Sequence, residues 1–237
     1  MVGAVVLAMT ACAKAAPLKI VAFGDSTTAP RAPDVKQVYA QVLAKELPRR
    51  GIEAEVTNAG VPGNHTVDAM KRLERDVLAK KPDLVIVQFG INDAAVDVWR
   101  KPPETKPRVA KDDYERNLRA MLKQIRAGGA NVILMTPNPT RWTAKMREMY
   151  GHPPYKPDDP DGFNVLLAGY AEVVRRIARE EKLPLVDIYA AFNQHGQDKP
   201  GETIDDLLLD GTHPNDAGHK LVADKLIALI EKTIAKP

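Results

Sequence analysis

The chain has little of several features that mark specialised classes of protein. Its one cysteine, Cys12, excludes an intramolecular disulfide and a metal site built on thiolates. The formal net charge is only +3, and no basic stripe interleaved with aromatic residues is present, so the composition does not predict nucleic-acid binding. No repeat of solenoid or propeller period is present either. A length of 237 residues with globular composition favours one domain of ordinary α/β size.

The first residues differ from the rest of the chain. The apolar run 2–9 is too short to span a bilayer as a helix, and small residues follow it, which is typical of a secretory signal peptide. Cys12 and the three residues before it also resemble a bacterial lipoprotein processing site, and a frayed apolar terminus is the remaining interpretation. We expect residues 1–16 to be a signal peptide or lipoprotein leader and residues 17–237 to form a single domain. The protein would then be exported, to the periplasm or the exterior, and membrane-bound only if Cys12 is lipidated.

Apolar runs typical of buried strands alternate with segments of helical apolar spacing. The predicted strands cover 18–23, 53–58, 83–89, 131–136 and 183–188. The predicted helices cover 38–47, 66–81, 112–127, 163–182 and 214–234, with Thr66 as an expected N-cap. Strictly alternating strands and helices with short connections predict a parallel sheet covered on both faces. We therefore expect an α/β/α sandwich around a five-stranded parallel sheet, with 137–162 as a long proline-rich loop.

The first strand ends at Gly24-Asp25-Ser26, which would bring a serine hydroxyl to the carboxyl edge of the sheet. Ligands of open α/β sheets bind in the crevice beyond that edge. A serine there can act as a nucleophile if a base, an orienting carboxylate and oxyanion donors are supplied. Asp25 is expected to be structural, with its carboxylate accepting hydrogen bonds from turn amides.

Candidates for the base and the orienting carboxylate lie near the C-terminal end of the chain. Candidates for the oxyanion donors follow the second and third predicted strands. Asp210 and His213 are three residues apart on a turn, so the carboxylate can fold back onto the imidazole and fix its tautomer. Oxyanion donors could come from the backbone N–H groups of Ser26 and Gly60 and from the side-chain amide of Asn92.

Simpler interpretations exist for each of these residues taken alone. Ser26 could cap the segment after it, Asn92 could be an ordinary turn residue, His213 a solvated surface histidine and Gly60 only part of a tight turn. A metal-dependent hydrolase using Asp25, Asp210 and His213 is disfavoured, because the close-spaced histidine pair of such sites is lacking. We expect no metal and no organic cofactor. The other histidines, His152, His195 and His219, are expected to be solvated or buried in the core.

Four short blocks occur in order along the chain: Phe23-Gly24-Asp25-Ser26, Asn58-Ala59-Gly60, Gly90-Ile91-Asn92-Asp93 and Asp210-Gly211-Thr212-His213. They resemble the ordered blocks of the SGNH (GDSL) hydrolase superfamily, and the resemblance covers the chain from Leu18 onward. It implies a flavodoxin-like three-layer fold and ester hydrolysis through an acyl-enzyme. By position, Ser26 is implied to be the nucleophile, Asp210 and His213 to complete its triad, and Gly60 and Asn92 to join the oxyanion hole.

The substrate is less well defined by the sequence. Because Thr27 follows the serine, the Gly-Asp-Ser-Thr sequence resembles that of the rhamnogalacturonan and xylan acetylesterase branch of that superfamily. The chain has no long apolar segment of the kind that forms a lid at lipid interfaces. We expect a short-chain acetylesterase acting on a carbohydrate or small ester. His65, Trp142 and Tyr150 are candidates for substrate contact, although the aromatic pair could simply pack the loop. The alternatives are a broad-range lysophospholipase, thioesterase or arylesterase and, from another class, a non-catalytic glycan-binding module.

Overall fold

The computed structural model of the chain describes residues 16–198 and 201–234. The leader expected over residues 1–16, including Cys12, lies outside these residues except for its last position. Within the described part, no helix is both long enough and apolar enough to cross a membrane.

The centre of the fold is a five-stranded sheet in which every strand pair is parallel. In chain order the strands are β1 (Leu18–Gly24), β2 (Ala54–Gly60), β3 (Leu84–Gln88), β4 (Asn131–Met135) and β5 (Leu185–Val186). Their spatial order is β2-β1-β3-β4-β5. This is the flavodoxin-like order, in which the winding direction reverses between β1 and β3. The predicted fold class is confirmed.

The helices cover both faces of the sheet. They are α1 (Tyr39–Arg49), α2 (Thr66–Asp76), α3 (Ile91–Ala94), α4 (Lys111–Ala127), α5 (Ala144–Tyr150), α6 (Leu167–Glu180), α7 (Ile188–Asp198) and α8 (Asp216–Ile234). Successive strand residues point to opposite faces, so Val21 and Phe23 pack with α2, α4 and α6, whereas Ile20 and Ala22 pack with α1, α7 and α8. Two buried layers therefore hold the carboxyl edge of the sheet in place.

Several helix ends differ from the sequence predictions, among them those of α1 and α2. Pro48 lies inside the last turn of α1, which continues to Arg49. Thr66 is not the N-cap of α2, because His65 occupies that position in an extended conformation. The Thr66 hydroxyl and N–H instead donate to the buried Asp93 Oδ1, at 2.5 and 2.9 Å. A carboxylate 27 residues away therefore caps α2, which the local pattern around Thr66 does not reveal. The helix ends at Asp76 rather than continuing to residue 81.

Two other segments were assigned incorrectly from the sequence. The expected loop 137–162 contains α5, whose N-cap Thr143 accepts a hydrogen bond from the Met146 N–H at 3.2 Å. The expected strand 183–188 is reduced to two residues paired with β4, because Asp187 caps α7. Its Oδ1 accepts from the Ala190 N–H at 3.0 Å, as a helix N-cap does. Helix α7 was missed.

Candidate active site

Ser26 follows β1 on a turn whose geometry is set by buried groups. A Cβ on Gly24 would overlap Thr28, so the strand can only end on glycine here. Asp25 is buried, and its Oδ1 accepts from the Thr27 N–H and hydroxyl, both at 2.8 Å. Burial raises the pKa of Asp25, and the Thr27 bonds oppose part of that rise. The expected hydrogen bond from a turn amide to the Asp25 carboxylate is confirmed. The Ser26 N–H donates to none of the described residues and is available.

Ser26, His213 and Asp210 form one hydrogen-bonded series. The Ser26 Oγ lies 3.0 Å from His213 Nε2, and His213 Nδ1 lies 2.8 Å from Asp210 Oδ2. An ionised carboxylate only accepts, so Nδ1 carries the ring proton and Nε2 presents its lone pair to the serine. Asp210 and His213 are three residues apart on one turn, whereas Ser26 is 187 residues from His213 in the sequence.

The Asp210 carboxylate is held by its own turn. Burial alone would raise its pKa, but bonds from the His213 ring and backbone and from the Thr212 N–H hold the pKa well below its ordinary value. Asp210 Oδ1 accepts from the N–H groups of His213 and Thr212 at 2.9 and 3.1 Å. Asp210 therefore remains ionised at any pH at which the protein would work.

The segment after β4 supports this turn from outside, and no pattern in the sequence predicts these contacts. Asn138 is buried and donates from Nδ2 to the Thr212 carbonyl at 2.8 Å. The Arg141 N–H donates to the Gly211 carbonyl at 2.6 Å, and Gly211 has a left-handed φ of +82°. These contacts fix the height of the imidazole above the sheet.

Asn92 lines the same cleft as Ser26 and His213. Its Nδ2 donates to the Asn64 carbonyl at 3.0 Å, which leaves the second amide hydrogen free for another acceptor. Its Oδ1 accepts from Arg108 Nη1 at 3.2 Å. The neighbouring Asp93 is buried, and burial raises its pKa to about 7, with the Thr66 bonds acting in the opposite direction. The structure therefore supplies an oriented amide beside the serine.

The Gly60 N–H, an expected oxyanion donor, already has one acceptor within the fold. It donates to Asn58 Oδ1 at 2.9 Å, and a Cβ on Gly60 would collide with the backbone of Ala29. Its visible role is close packing against the loop that follows Ser26. Three residues on, the N–H of Gly63 donates to none of the described residues, and its φ of +77° favours glycine. Gly63 precedes Asn64, whose carbonyl binds Asn92, and no sequence motif marks it.

The cleft beside Ser26 has a volume of about 180 Å³ and largely apolar walls. Tyr150, one of the expected contact residues, lies in it together with Tyr155, Phe163, Met146 and Leu166. Phe163 and the two tyrosines contact one another edge-on or tilted, and the Tyr155 hydroxyl accepts from the Val96 N–H at 2.8 Å. The α5 segment therefore forms one wall of the cleft.

The other two expected contact residues do not line this cleft. Trp142 stacks on Phe163 at 4.6 Å between ring centroids, and its indole N–H donates to the Asp159 carbonyl at 3.0 Å. It supports the aromatic wall from behind. His65 lies beside a second cavity, with Nδ1 3.3 Å from Asp68 Oδ2 but not aligned for a hydrogen bond. In the described part of the chain, no group of three or more histidine, cysteine or carboxylate side chains could hold a metal ion.

A hydrogen-bonded serine, imidazole and carboxylate at the carboxyl edge of a flavodoxin-like sheet is the arrangement of a serine hydrolase. Comparison with known proteins identifies the family. The chain belongs to the GDSL-like lipase/acylhydrolase family, whose model matches residues 22–221. The resemblance seen in the four blocks is confirmed.

Individual relatives agree with this assignment. An acetylxylan esterase of Geobacillus stearothermophilus is 32% identical over 185 residues, covering 77% of this chain and 74% of the relative. The uncharacterized lipoprotein YqeF of Bacillus subtilis is 29% identical over 86% of this chain and 85% of its own. Among solved structures, a lipase/acylhydrolase from Enterococcus faecalis has a TM-score of 0.70 at 29% identity, covering 91% of this chain and 96% of the other. The G. stearothermophilus acetylxylan esterase has a TM-score of 0.69 at 28% identity, covering 90% and 94%. The chain is a carboxylic ester hydrolase.

Proposed function

We propose that this enzyme removes acetyl groups from carbohydrate esters through an acyl-enzyme formed on Ser26. The observation that carries the proposal is the 3.0 Å contact between Ser26 Oγ and His213 Nε2, with Nδ1 held by Asp210. In the G. stearothermophilus acetylxylan esterase, substitutions of a serine, an aspartate and a histidine three residues after that aspartate are described as catalytic mutants. Asp210 and His213 have the same spacing. Ser26 is moreover the only serine in the chain.

The reaction follows from this geometry in two halves. His213 Nε2 accepts the Ser26 proton as Oγ forms a bond to the ester carbonyl carbon. The resulting imidazolium, stabilised by Asp210, gives its proton to the alcohol oxygen as the C–O bond of the ester breaks. A water molecule then attacks the acyl-enzyme, loses a proton to His213 and releases the carboxylic acid, and the proton returns to Ser26 Oγ.

The negative charge on the carbonyl oxygen needs donors that are in place before the reaction. We assign the Ser26 N–H and the free Nδ2 hydrogen of Asn92 to this role. Gly60 could contribute only by sharing its N–H with Asn58 Oδ1, whereas the N–H of Gly63 needs no such sharing. A single such donor typically contributes about 3 kcal/mol to the stability of the transition state.

A broad-range esterase is the second candidate function, and the apolar cleft is the observation that favours it. A volume of about 180 Å³ walled by Tyr150, Tyr155, Phe163 and Met146 exceeds what one acetyl group needs. Relatives include proteins named isoamyl acetate-hydrolyzing esterase, esterase TesA and arylesterase. In this alternative the apolar cleft would hold a longer acyl chain or an apolar alcohol.

The first experiment compares hydrolysis of p-nitrophenyl acetate, butyrate and octanoate by the wild type and by Ser26→Ala. Preference for acetate together with an inactive variant supports the carbohydrate acetylesterase, which is then assayed on acetylated polysaccharide. Preference for octanoate favours the broad-range esterase. Activity of Ser26→Ala equal to that of the wild type would contradict the role of Ser26 as the nucleophile. Full activity is expected after EDTA treatment, because the proposed steps require no metal.

We further propose that the enzyme is exported through the segment 1–16, with Cys12 as the residue that would carry a lipid. The relative named as a lipoprotein supports this proposal. Cell fractionation of the full chain and of Cys12→Ser tests it. Membrane-bound wild type and released variant support lipidation, release of both supports a cleaved signal peptide, and retention of both in the cytoplasm contradicts export.

A further inference from the structure

A second cavity of about 470 Å³ adjoins the Ser26 cleft and shares Arg108 with it. Its walls come from the connection between α3 and α4 and from the loop before α2. Arg108 contacts Asn92 on the side of the serine and Asp97 on the side of the second cavity. A substrate that reacts at Ser26 and extends past Arg108 would enter this space.

Trp99 is the most exposed of the large apolar side chains of the described residues, with 46% of its surface accessible. It lines the second cavity and stacks on no other aromatic ring there. The Arg100 guanidinium lies 5.6 Å from the centroid of the Trp99 ring. The indole N–H of Trp99 donates to none of the described residues. An indole held in this way presents an apolar surface and an unused donor to a ligand.

Most of the charged side chains around Trp99 are planar, and Arg100 and Arg108 pair with a carboxylate. Asp97 is buried and pairs with Arg108 at 2.6 Å and with Arg100 at 3.2 Å, and Arg100 also lies 3.9 Å from Glu104. The two arginines already face carboxylates, and Lys106 is the cation of this cavity that has no carboxylate partner among the described residues. The cavity therefore offers a phosphate or another strong anion only one uncompensated positive charge. Guanidinium and carboxylate groups remain able to bond hydroxyls at its rim.

We propose that this cavity is a subsite for a neutral sugar ring in the alcohol part of the ester, with Trp99 as its stacking platform. A pyranose ring has a face of C–H groups that packs on an indole and a rim of hydroxyls that pairs with planar polar side chains. His65, expected from the sequence to touch substrate, lies in this subsite. The inference rests on the proposed function, since it places the rest of the molecule that Ser26 deacetylates.

The test compares a sugar ester with an ester too small to reach Trp99. Acetic acid release is titrated with acetylated xylo-oligosaccharides, acetylated cello-oligosaccharides and ethyl acetate. The Trp99→Ala variant should lower kcat/KM on a sugar ester relative to ethyl acetate about tenfold, mainly through KM, whereas Trp99→Phe should retain most of the ratio. The control is Arg116→Ala, an exposed position on α4 outside both cavities, which should leave the ratio unchanged.

Binding without turnover gives a second measurement. The Ser26→Ala protein titrated with the oligosaccharides should show a change in tryptophan fluorescence, and adding Trp99→Phe should abolish that change. Trp142, the other tryptophan, remains as an internal reference. A ratio unaltered in Trp99→Ala with both sugar series would overturn the subsite. Hydrolysis of ethyl acetate by Ser26→Ala at the wild-type rate would instead overturn the proposed function itself.

Discussion

Arg108 donates from Nη1 to Asn92 Oδ1 at 3.2 Å, while Asn92 Nδ2 donates to the Asn64 carbonyl. These two bonds distinguish the oxygen and nitrogen ends of the amide and fix its orientation at the edge of the cleft. Arg108 is itself held by Asp97 Oδ1, which accepts from Nε and Nη2 at 3.1 and 2.6 Å. We infer that Arg108 is a positioning residue for the Asn92 donor.

The first prediction concerns this pair. Asn92→Ala should lower kcat about 100-fold through loss of one oxyanion donor, and Arg108→Met about tenfold because the amide is no longer held. In the double variant, Arg108→Met should add little to Asn92→Ala, because its effect passes through that amide. Kinetics on ethyl acetate measure all three, with Arg116→Met as the matched control. Fully additive losses would show that Arg108 acts by another route.

The second prediction concerns the orientation of the imidazole by Asp210. In Asp210→Asn the amide NH₂ cannot accept from His213 Nδ1–H, so the ring adopts the wrong tautomer for accepting the Ser26 proton. We expect kcat to fall about 10⁴-fold, as in other serine hydrolases with such a triad. Because Ser26 is the only serine, a fluorophosphonate probe followed by mass spectrometry reports its reactivity directly. Labelling should be fast in the wild type and in the surface control Asp224→Asn, and slow in Asp210→Asn. Equal labelling rates in all three would contradict the assigned role.

The third prediction concerns Arg72, a buried cation with 7% of its surface accessible. It donates to the carbonyls of Gly24 and Ala59, both at 2.8 Å, and to Asn64 Oδ1 at 2.7 Å, with its guanidinium 4.5 Å from the Phe23 ring centroid. It therefore joins the carboxyl ends of β1 and β2 to the loop that supports Asn92. Burial lowers its pKa, and the Asp76 carboxylate opposes that change.

Replacing this arginine by methionine removes its bonds to the Gly24 and Ala59 carbonyls and to Asn64 Oδ1, and leaves the Gly24 carbonyl with the Val61 N–H as its donor. Arg72→Met should lower the free energy of unfolding by about 3 kcal/mol. Arg75→Met, three residues further along α2 and exposed, should change it by less than about 0.5 kcal/mol. Urea denaturation measures both. A stability of Arg72→Met within the error of the wild type would show that water replaces these bonds.

The fourth prediction concerns the pH dependence of stability. His219 is buried, its Nδ1 accepts from the Tyr39 N–H at 3.3 Å, and burial lowers its pKa to about 4. The histidine of the unfolded chain has a pKa of about 6.5, so between about pH 6.5 and 4 it is protonated in the unfolded chain and neutral in the folded chain. Stability from this group is present above about pH 6.5 and is lost as the pH falls towards about 4, by about 3 kcal/mol in total.

The variant His219→Gln keeps an acceptor for Tyr39 and removes the titration. The free energy of unfolding of the wild type minus that of the variant should decrease as the pH falls from about 6.5 to 4. The carboxylates titrate in both proteins, so their contributions to the free energy of unfolding cancel in this difference. A difference that stays constant over this range would contradict a neutral buried imidazole.

The sequence predicted the fold because each strand carries its own signal. A fully buried parallel strand must be apolar along its whole length, as 84–88 is, and the helices between such strands show an apolar face. The ends of elements were predicted less well where a distant group takes part. Asp93 caps α2 from another element, and Asp187 caps α7 where the apolar run predicted a continuing strand.

By itself, the sequence determined the order of the strands along the chain, the turn residues at their ends, and the chemical types that a serine hydrolase needs. Short sequence blocks point to Ser26, Asn92, Asp210 and His213, because each block forms a turn from residues that are adjacent in sequence. Only the tertiary structure decided which donors are free and which are used. Gly60 gives its N–H to Asn58, Arg108 orients Asn92, and Trp99 stands beside the cleft with its ring exposed. Hydrogen bonds and exposure depend on what other parts of the chain bring to a residue, and sequence spacing does not contain that information.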